Sequence, residues 1–159
     1  MNELRIITEE TERIMIAGHL RPDGDCAGAC IAAWHYLHNI YPKKTIDVYL
    51  TNLSEKFHFM DPEMKIVSDF VSSEKYDLFL ALDSSSPDRL GEAEKAFYQA
   101  RKTVCVDHHV SNRGYAGLNF IDPEASSTCE VLYGLMADND IDLKIAEALY
   151  IGIIFDSGV

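Results

Sequence analysis

The chain is short of basic residues. It has 14 Lys and Arg against 26 Asp and Glu, a formal net charge of −12 over 159 residues. Bulk charge therefore does not provide a basic surface of the kind that binds phosphate groups. If the substrate of this protein is a phosphate ester, metal ions must supply most of the local positive charge.

Cysteine pairs with metal-binding spacing and long apolar runs are also missing. The four cysteines form no CxxC pair; they are Cys26, Cys30, Cys105 and Cys129. We expect them to be reduced and structural, which indicates a reducing compartment. No stretch is long and apolar enough to cross a membrane, and the amino terminus is too acidic and polar for a signal peptide. The expected location is cytoplasmic, without a membrane partner.

The chain lacks internal repeats, low-complexity tracts and an obvious linker, and 47% of its residues are hydrophobic. This length and composition suffice for one domain with a sizeable core, so residues 1–159 are expected to form a single domain.

Short apolar runs that are typical of buried strands alternate with segments of helical spacing. Strands are predicted over residues 13–17, 45–50, 76–82 and 103–106, and helices over residues 2–12, 26–40, 92–101, 126–138 and 142–155. The mixed stretch 53–75 is expected to hold a loop and a short helix after Asp61-Pro62. The alternation predicts an α/β fold with a mostly parallel sheet flanked by helices.

Four clusters of acidic residues and histidine interrupt this pattern, and the first three directly follow a predicted strand. They read GHLRPDGD at 18–25, LD at 82–83, DHH at 107–109 and FDSG at 155–158. A parallel sheet lines up the carboxyl ends of its strands along one edge. We therefore expect the side chains of the clusters to meet at that edge.

The first cluster combines an imidazole with two carboxylates. Asp23 and Asp25 lie in a turn, where residues two apart can project to neighbouring points and reach different metal ions. His19 ends the preceding strand. The helix that follows also directs its amino-terminal N–H groups at this site, which suits anions. The alternative is that Asp23 only caps the helix and that the histidine is incidental.

The other clusters offer further ligands. Asp83 has two oxygens that could bridge two metal ions. Adjacent imidazoles at a strand end point to different sides, so one of His108 and His109 could bind metal while the other faces substrate. Asp107 could orient a ring nitrogen, although a surface histidine pair is the alternative. Asp156 ends a helix, where a negative charge opposes the helix dipole, and a cation partner explains it better.

The candidate metal ligands from these clusters are two imidazoles and four carboxylates: His19, Asp23, Asp25, Asp83, His108 and Asp156. A mixed nitrogen and oxygen set favours Mn²⁺, with Fe²⁺, Co²⁺ or Zn²⁺ as alternatives, over Mg²⁺, which prefers oxygen alone. The set contains no thiolate, which argues against a structural zinc site.

In this order, the motifs resemble those of the DHH phosphoesterase superfamily, which is named for residues 107–109. The RPDGD wording at 21–25 and the ASSTCE stretch at 125–130 are most similar to its branch of bifunctional oligoribonucleases and 3′-phosphoadenosine 5′-phosphate (PAP) phosphatases, the nano-RNase A type. Cyclic-dinucleotide phosphodiesterases of the superfamily have similar motifs. The fourth motif of the family is usually Asp-Thr-Gly; here it is Asp-Ser-Gly at 156–158, which keeps the hydroxyl.

The resemblance implies a DHH catalytic domain with two Mn²⁺ ions. One ion would be held by His19, Asp23 and Asp83, and the other by Asp25, Asp83, His108 and Asp156. Asp83 would bridge the two. His109 would face the phosphate and the leaving oxygen as a catalytic residue, Asp107 would support the histidine pair, and Arg21 would meet phosphate.

The resemblance also implies a metal-dependent 3′-5′ exoribonuclease acting on short RNA, PAP or both. The alternatives are a cyclic-dinucleotide phosphodiesterase, a DHH-type inorganic pyrophosphatase and a non-catalytic nucleotide-binding module. Family members continue into a second domain, DHHA1, which grips the substrate, whereas this chain ends at Val159. We therefore expect a truncated amino-terminal domain that lacks DHHA1 and could be inactive alone. A homodimer is compatible with this expectation.

Overall fold

The protein folds around one parallel sheet, which confirms the predicted α/β class. The computed structural model describes residues 2–60, 66–67 and 75–158. The strands are β1 (Arg13–Ala17), β2 (Thr45–Tyr49), β3 (Ile66–Val67), β4 (Leu78–Leu82), β5 (Lys102–Asp107) and β6 (Leu118–Ile121). They pair in parallel in the order β3-β2-β1-β4-β5-β6. The strand order therefore reverses between β1 and β4, and in such sheets ligands bind outside the carboxyl ends at the reversal.

Helices cover both faces of the sheet. They are α1 (Glu3–Thr8), α2 (Gly24–Ile40), α3 (Glu94–Gln99), α4 (Thr128–Tyr133) and α5 (Leu143–Ser157), with 3₁₀ turns at Glu55–Met60, Pro87–Ala93 and Asp138–Asp140. Among the described residues, no helix is long and apolar enough to span a bilayer.

Two apolar clusters make up the core, one on each face of the sheet. Ile14 and Ile16 of β1 belong to the larger cluster, with residues of α2, α4 and α5. Met15 of the same strand belongs to the smaller cluster, with Phe97 of α3. Because both faces are covered, the central strands are continuous apolar runs, which is why they were predictable from the sequence.

Glycines let α5 approach α2 and the end of the sheet closely. A Cβ atom on Gly28 of α2 would lie 2.5 Å from the backbone oxygen of Ala148, and one on Gly152 of α5 would lie 2.3 Å from Cys129 Sγ and 2.9 Å from Asp25 Oδ1. Any larger side chain would push α5 away. This close packing carries Asp156, one turn beyond Gly152, to the carboxyl edge of the sheet.

The structure differs from the sequence prediction mainly in lengths and edges. Three predicted helices are shorter as α-helices: within residues 2–12 the α-helix is Glu3–Thr8, within 92–101 it is Glu94–Gln99, and within 126–138 it is Thr128–Tyr133. Strands β3 and β6 were not predicted. Strand β6 is an edge strand whose residues are half-buried or exposed, so it lacks the apolar run of a central strand. The helix predicted after Asp61-Pro62 lies outside the described residues.

Candidate metal centre

All four sequence clusters meet at the carboxyl edge of the sheet. His19 lies just beyond β1, Asp83 follows β4, His108 follows β5, and Asp156 lies in the last turn of α5. Potential ligand atoms fall into three overlapping groups, with all atoms of a group within 4.8 Å of one another. The groups are His19, Cys26 and Asp83; Asp83, His108 and His109; and Asp25, His108 and Asp156.

The first group is organised by the orientation of His19. Its Nδ1 lies 2.8 Å from the carbonyl oxygen of Leu20. A proton on Nδ1 can be donated to that carbonyl, which leaves Nε2 as the ligating nitrogen. His19 Nε2 lies 3.4 Å from Asp83 Oδ2 and 3.7 Å from Asp23 Oδ2. His19 and Asp83 are almost fully buried, with 6% and 2% of the side chain exposed.

The other two groups share His108. Its Nε2 lies 3.2 Å from Asp156 Oδ2, 3.8 Å from Asp25 Oδ2 and 3.9 Å from Asp83 Oδ1. Asp83 therefore presents Oδ2 to His19 and Oδ1 to His108. A carboxylate disposed in this way can bridge two metal ions.

Asp23 has two tasks, which the sequence presented as alternatives. It is the N-cap of α2, and its Oδ1 accepts hydrogen bonds from the backbone N–H groups of Asp25 and Cys26, both at 3.1 Å. Its Oδ2 faces His19. Because capping and facing the imidazole use different oxygens, one does not exclude the other.

Asp25 is held by α4, and the sequence reasoning missed this contact. The backbone N–H groups of Thr128 and Cys129 donate to its two oxygens at 2.6 and 2.9 Å. The hydroxyl of Thr128 donates to Asp83 Oδ1 at 2.9 Å. Ser127 caps α4, and its place in the ASSTCE stretch was the available signal. Thr128 thus connects the carboxylates of Asp25 and Asp83.

The electrostatics of the cluster favour a cation. Burial, together with the negative charge of Asp83, raises the pKa of Asp25 to about 6. Burial and the charges of Asp23 and Asp83 also raise the pKa of Asp156. For His19, burial opposes the charged imidazolium, but the carboxylates of Asp23 and Asp83 outweigh it and raise its pKa to about 11. The carboxylates of the site therefore stabilise a positive charge placed among them, such as that of the His19 imidazolium.

The donor chemistry fits divalent metal ions. The ion pairs described for Asp25, Asp83 and Asp156 are with histidines, and buried carboxylates of this kind call for cations. The thiol of Cys26 is near the first group, but burial raises its pKa well above its usual range. A neutral thiol is a poor ligand, which leaves oxygen and nitrogen donors. All four cysteines are free and buried, as predicted.

His109 is attached to a carboxylate that is not in the predicted ligand set. Its Nδ1 donates to Asp107 Oδ1 at 2.7 Å, and Asp107 Oδ2 accepts from Asn112 Nδ2 at 2.7 Å. The bond to Asp107 raises the pKa of His109. Burial disfavours the charge of Asp107, but the bonds from His109 and Asn112 outweigh burial and lower its pKa. Within the part of the chain that the structure describes, no hydrogen bond or ion pair involves His109 Nε2.

Arg21 lies on the exposed turn between His19 and Asp23. Its φ of 58° is in the left-handed region, which a non-glycine residue seldom adopts. Its contact with phosphate stays a prediction, as do the roles of the six metal ligands.

Known proteins with similar sequences or folds bear on this site. The chain is 27% identical over 156 residues to the bifunctional oligoribonuclease and PAP phosphatase NrnA of Bacillus subtilis, covering 92% of this chain and 47% of that protein. It is 26% identical to the cyclic-di-AMP phosphodiesterase GdpP of Geobacillus thermodenitrificans, covering 97% of this chain and 26% of that protein. An exopolyphosphatase-related protein from Bacteroides fragilis has the same fold, with a TM-score of 0.85 at 24% identity, over 98% of this chain and 50% of that one.

The chain spans about half the length of curated relatives such as the Bacillus NrnA. Within it, the model of the DHH family, N-terminal domain, matches residues 13–153, which include the first three clusters and end within α5, just before the fourth. With this match and the geometry of its carboxyl edge, the chain belongs to the DHH family.

Proposed function

We propose that the chain is the catalytic part of a two-metal phosphoesterase that hydrolyses short oligoribonucleotides, PAP or both, with Mn²⁺ as the preferred ion. The observation that carries the proposal is the position of Asp83, which is buried between His19 and His108 and turns Oδ2 to the first and Oδ1 to the second. The name of the Bacillus subtilis relative, a bifunctional oligoribonuclease and PAP phosphatase, supports the substrate class.

The predicted ligands divide into two sets that share Asp83. His19 and Asp23 belong to the first; Asp25, His108 and Asp156 belong to the second. Divalent ions held there would supply the positive charge that activates water and neutralises a phosphoryl group. This agrees with the charge of the chain, which offers the substrate few basic residues.

His109 is the proposed general acid. Its bond to Asp107 fixes the ring through Nδ1 and favours the imidazolium form. The Nε2–H of that form can then pass a proton to the leaving oxygen. We further propose that Arg21 contacts a phosphate oxygen, and that a second domain of the DHHA1 type supplies the remaining substrate contacts.

Hydrolysis of a cyclic dinucleotide is the second candidate function. The similarity to the cyclic-di-AMP phosphodiesterase GdpP, at 26% identity, favours it. Both candidates use the same metal chemistry, so they differ only in the nucleotide that is presented to it. Side-by-side hydrolysis of a diribonucleotide, PAP, cyclic-di-AMP and pyrophosphate by the full-length protein would separate them.

The proposal is tested by substituting Asp83 with Asn in the full-length protein. Asn tolerates the left-handed φ of 52° that Asp83 adopts, so the fold should survive. Because the bridging charge is lost, Mn²⁺-dependent hydrolysis should fall to the level of metal-free protein. Asp88→Asn, at an exposed acid in the 3₁₀ turn Pro87–Ala93, is the control and should keep wild-type activity. Retained activity in the Asp83 variant would contradict the proposal.

A further inference from the structure

A buried amide beside the site contacts two strand ends at once. Asn112 is 7% exposed, and its Nδ2 lies 2.7 Å from Asp107 Oδ2, which belongs to the end of β5. The same nitrogen lies 3.3 Å from the carbonyl oxygen of Ser84, just beyond β4. One NH₂ group therefore connects the carboxylate that holds His109 to the backbone that follows Asp83.

The orientation of this amide is well defined. Asn112 Oδ1 accepts a hydrogen bond from the backbone N–H of Gly114 at 2.9 Å. That bond requires oxygen at this position and places the NH₂ group towards Asp107 and Ser84. The NH₂ group also contacts Cys105 Sγ at 3.4 Å. A carboxylate at position 112 could accept the bond from Gly114 N–H, but it could not donate to Asp107, Ser84 or Cys105.

The contact with the end of β4 is made through the carbonyl oxygen of Ser84. It accepts a second hydrogen bond, from the hydroxyl of Tyr115 at 2.8 Å. Ser84 follows Asp83, whose φ of 52° is a left-handed conformation that costs free energy for a residue with a side chain. Such a conformation persists only where its surroundings hold it. Asn112 and Tyr115 are two of the groups that hold it.

The same amide also determines the direction of His109. Asp107 is fully buried and accepts from Asn112 through Oδ2 and from His109 through Oδ1. With Oδ2 occupied, Oδ1 is directed at His109 Nδ1, and the ring turns Nε2 away from Asp107. In the structure His109 Nδ1 lies 3.6 Å from Asp83 Oδ1, so the placement of the two residues is closely linked.

From these contacts we propose that Asn112 is a positioning residue. It fixes His109 and Asp83 relative to each other by tying Asp107 to the Ser84 carbonyl. The inference rests on the proposed function, in which Asp83 bridges two ions and His109 serves as the acid. In this role Asn112 acts through the carboxylate and the carbonyl that it holds.

The principal test is Asn112→Asp in the full-length protein. The new carboxylate lies against Asp107 and repels it, so Asp107 should turn away from His109. We expect kcat for a diribonucleotide to fall about 10- to 100-fold, the range for groups that orient metal-site residues. KM should stay within about twofold, because loss of a transition-state contact lowers kcat and kcat/KM together. The matched control is Asn119→Asp, a neighbouring asparagine that bonds only the backbone of Ala116 in the described contacts.

A second readout follows the imidazole directly. ¹⁵N–¹H NMR of metal-free protein, recorded above the raised pKa of His109 so that the ring is neutral, reports which ring nitrogen carries the proton. The His109 signal is assigned by its loss in His109→Gln. The wild type and the Asn119 variant should show a protonated Nδ1 in contact with Asp107. In Asn112→Asp this preference should be lost. A merely structural asparagine would not change the tautomer while the fold is retained.

Tyr115→Phe is the milder companion variant. It removes only the hydroxyl that donates to the Ser84 carbonyl, and it should lower kcat about threefold, a loss within the usual range for one neutral hydrogen bond. If Asn112→Asp does not fold, Tyr115→Phe decides, and an unchanged kcat overturns the proposal. A folded Asn112→Asp protein with wild-type kcat, or with a changed KM alone, overturns it as well.

Failure of the positioning role and failure of the proposed function give different results. If the wild type hydrolyses none of the phosphate esters with Mn²⁺, the proposed function is wrong, but the NMR readout still tests whether Asn112 orients His109. If the wild type is active and the Asn112 variant matches it in both kcat and tautomer, the function stands and the positioning role is wrong.

Discussion

Aspartates lie in opposite environments at the two ends of the strands, here called the amino edge and the carboxyl edge of the sheet. At the amino edge, Asp77 precedes β4, and its Oδ2 accepts hydrogen bonds from the backbone N–H groups of Glu12 and Arg13, both at 3.0 Å. These bonds lower its pKa, and the charge of Arg101 adds to the effect. At the carboxyl edge, Asp25 is buried beside the negative Asp83, and its pKa is raised to about 6. Backbone N–H groups of the protein stabilise the charge of Asp77, whereas the charge of Asp25 still favours a cation.

The difference shows what turns an acid into a candidate ligand. Asp25 also accepts two backbone hydrogen bonds, so hydrogen bonding alone does not distinguish it from Asp77. The distinguishing features are burial and the crowding of several carboxylates, which together leave negative charge uncompensated. In the protein without metal, His19 supplies part of the missing positive charge as an imidazolium. Metal ions would replace that proton.

The largest effect expected from this comparison is a pH dependence of metal affinity. The pKa of His19 is raised to about 11, so near neutral pH a metal ion must displace its proton. Apparent Mn²⁺ affinity should therefore rise about tenfold per pH unit for each displaced proton. Titration calorimetry in buffers of different ionisation enthalpy counts the released protons. If Mn²⁺ affinity is independent of pH and no proton is released, His19 does not hold a proton in the metal-free protein as described.

A smaller effect on metal affinity is expected when the hydrogen bond from Thr128 to Asp83 is removed. Thr128→Val removes the hydroxyl that donates to Asp83 Oδ1 but keeps the backbone N–H that holds Asp25. Mn²⁺ affinity should fall about tenfold, because groups that orient a ligand typically contribute this much. Ser126→Ala is the control, since its exposed hydroxyl bonds Glu130 instead. Equal affinities in both variants would mean that Thr128 does not support the site.

The smallest effect is expected at the amino edge. Asp77→Asn weakens the acceptor for two backbone N–H groups, and it should lower the free energy of unfolding by about 1 kcal/mol at neutral pH without changing Mn²⁺ affinity. The pKa of Asp77 is lowered in the folded state, so its contribution is present above the unfolded value near 3.8 and is lost as the pH falls through the folded value. Denaturant unfolding at several pH values measures this. A change in Mn²⁺ affinity in the Asp77 variant would contradict the view that the amino edge contributes only to stability.

Much of the fold was predictable from local sequence. Strands β1, β4 and β5 were found because both faces of the sheet are covered, which makes these strands continuously apolar. Strand β6 was missed because an edge strand is only partly buried and includes Asn119. Helix α4 was predicted too long. It ends at Tyr133 with Gly134 as its C-cap, although the apolar residues Leu135 and Met136 beyond it still pack in the core.

The sequence by itself determined the order of the four clusters, the kinds of donor they contain and the edge of the sheet where they meet. These follow from residue identity and from the parallel arrangement of strands. Only the tertiary structure decided which oxygen of Asp83 faces which histidine, and that Thr128 and Asn112 support the site. Thr128 and Asp25 are 103 positions apart, and the backbone N–H that joins them is common to every residue except proline. A contact made by such a group leaves no mark in the sequence, and it exists only once the fold has brought the two segments together.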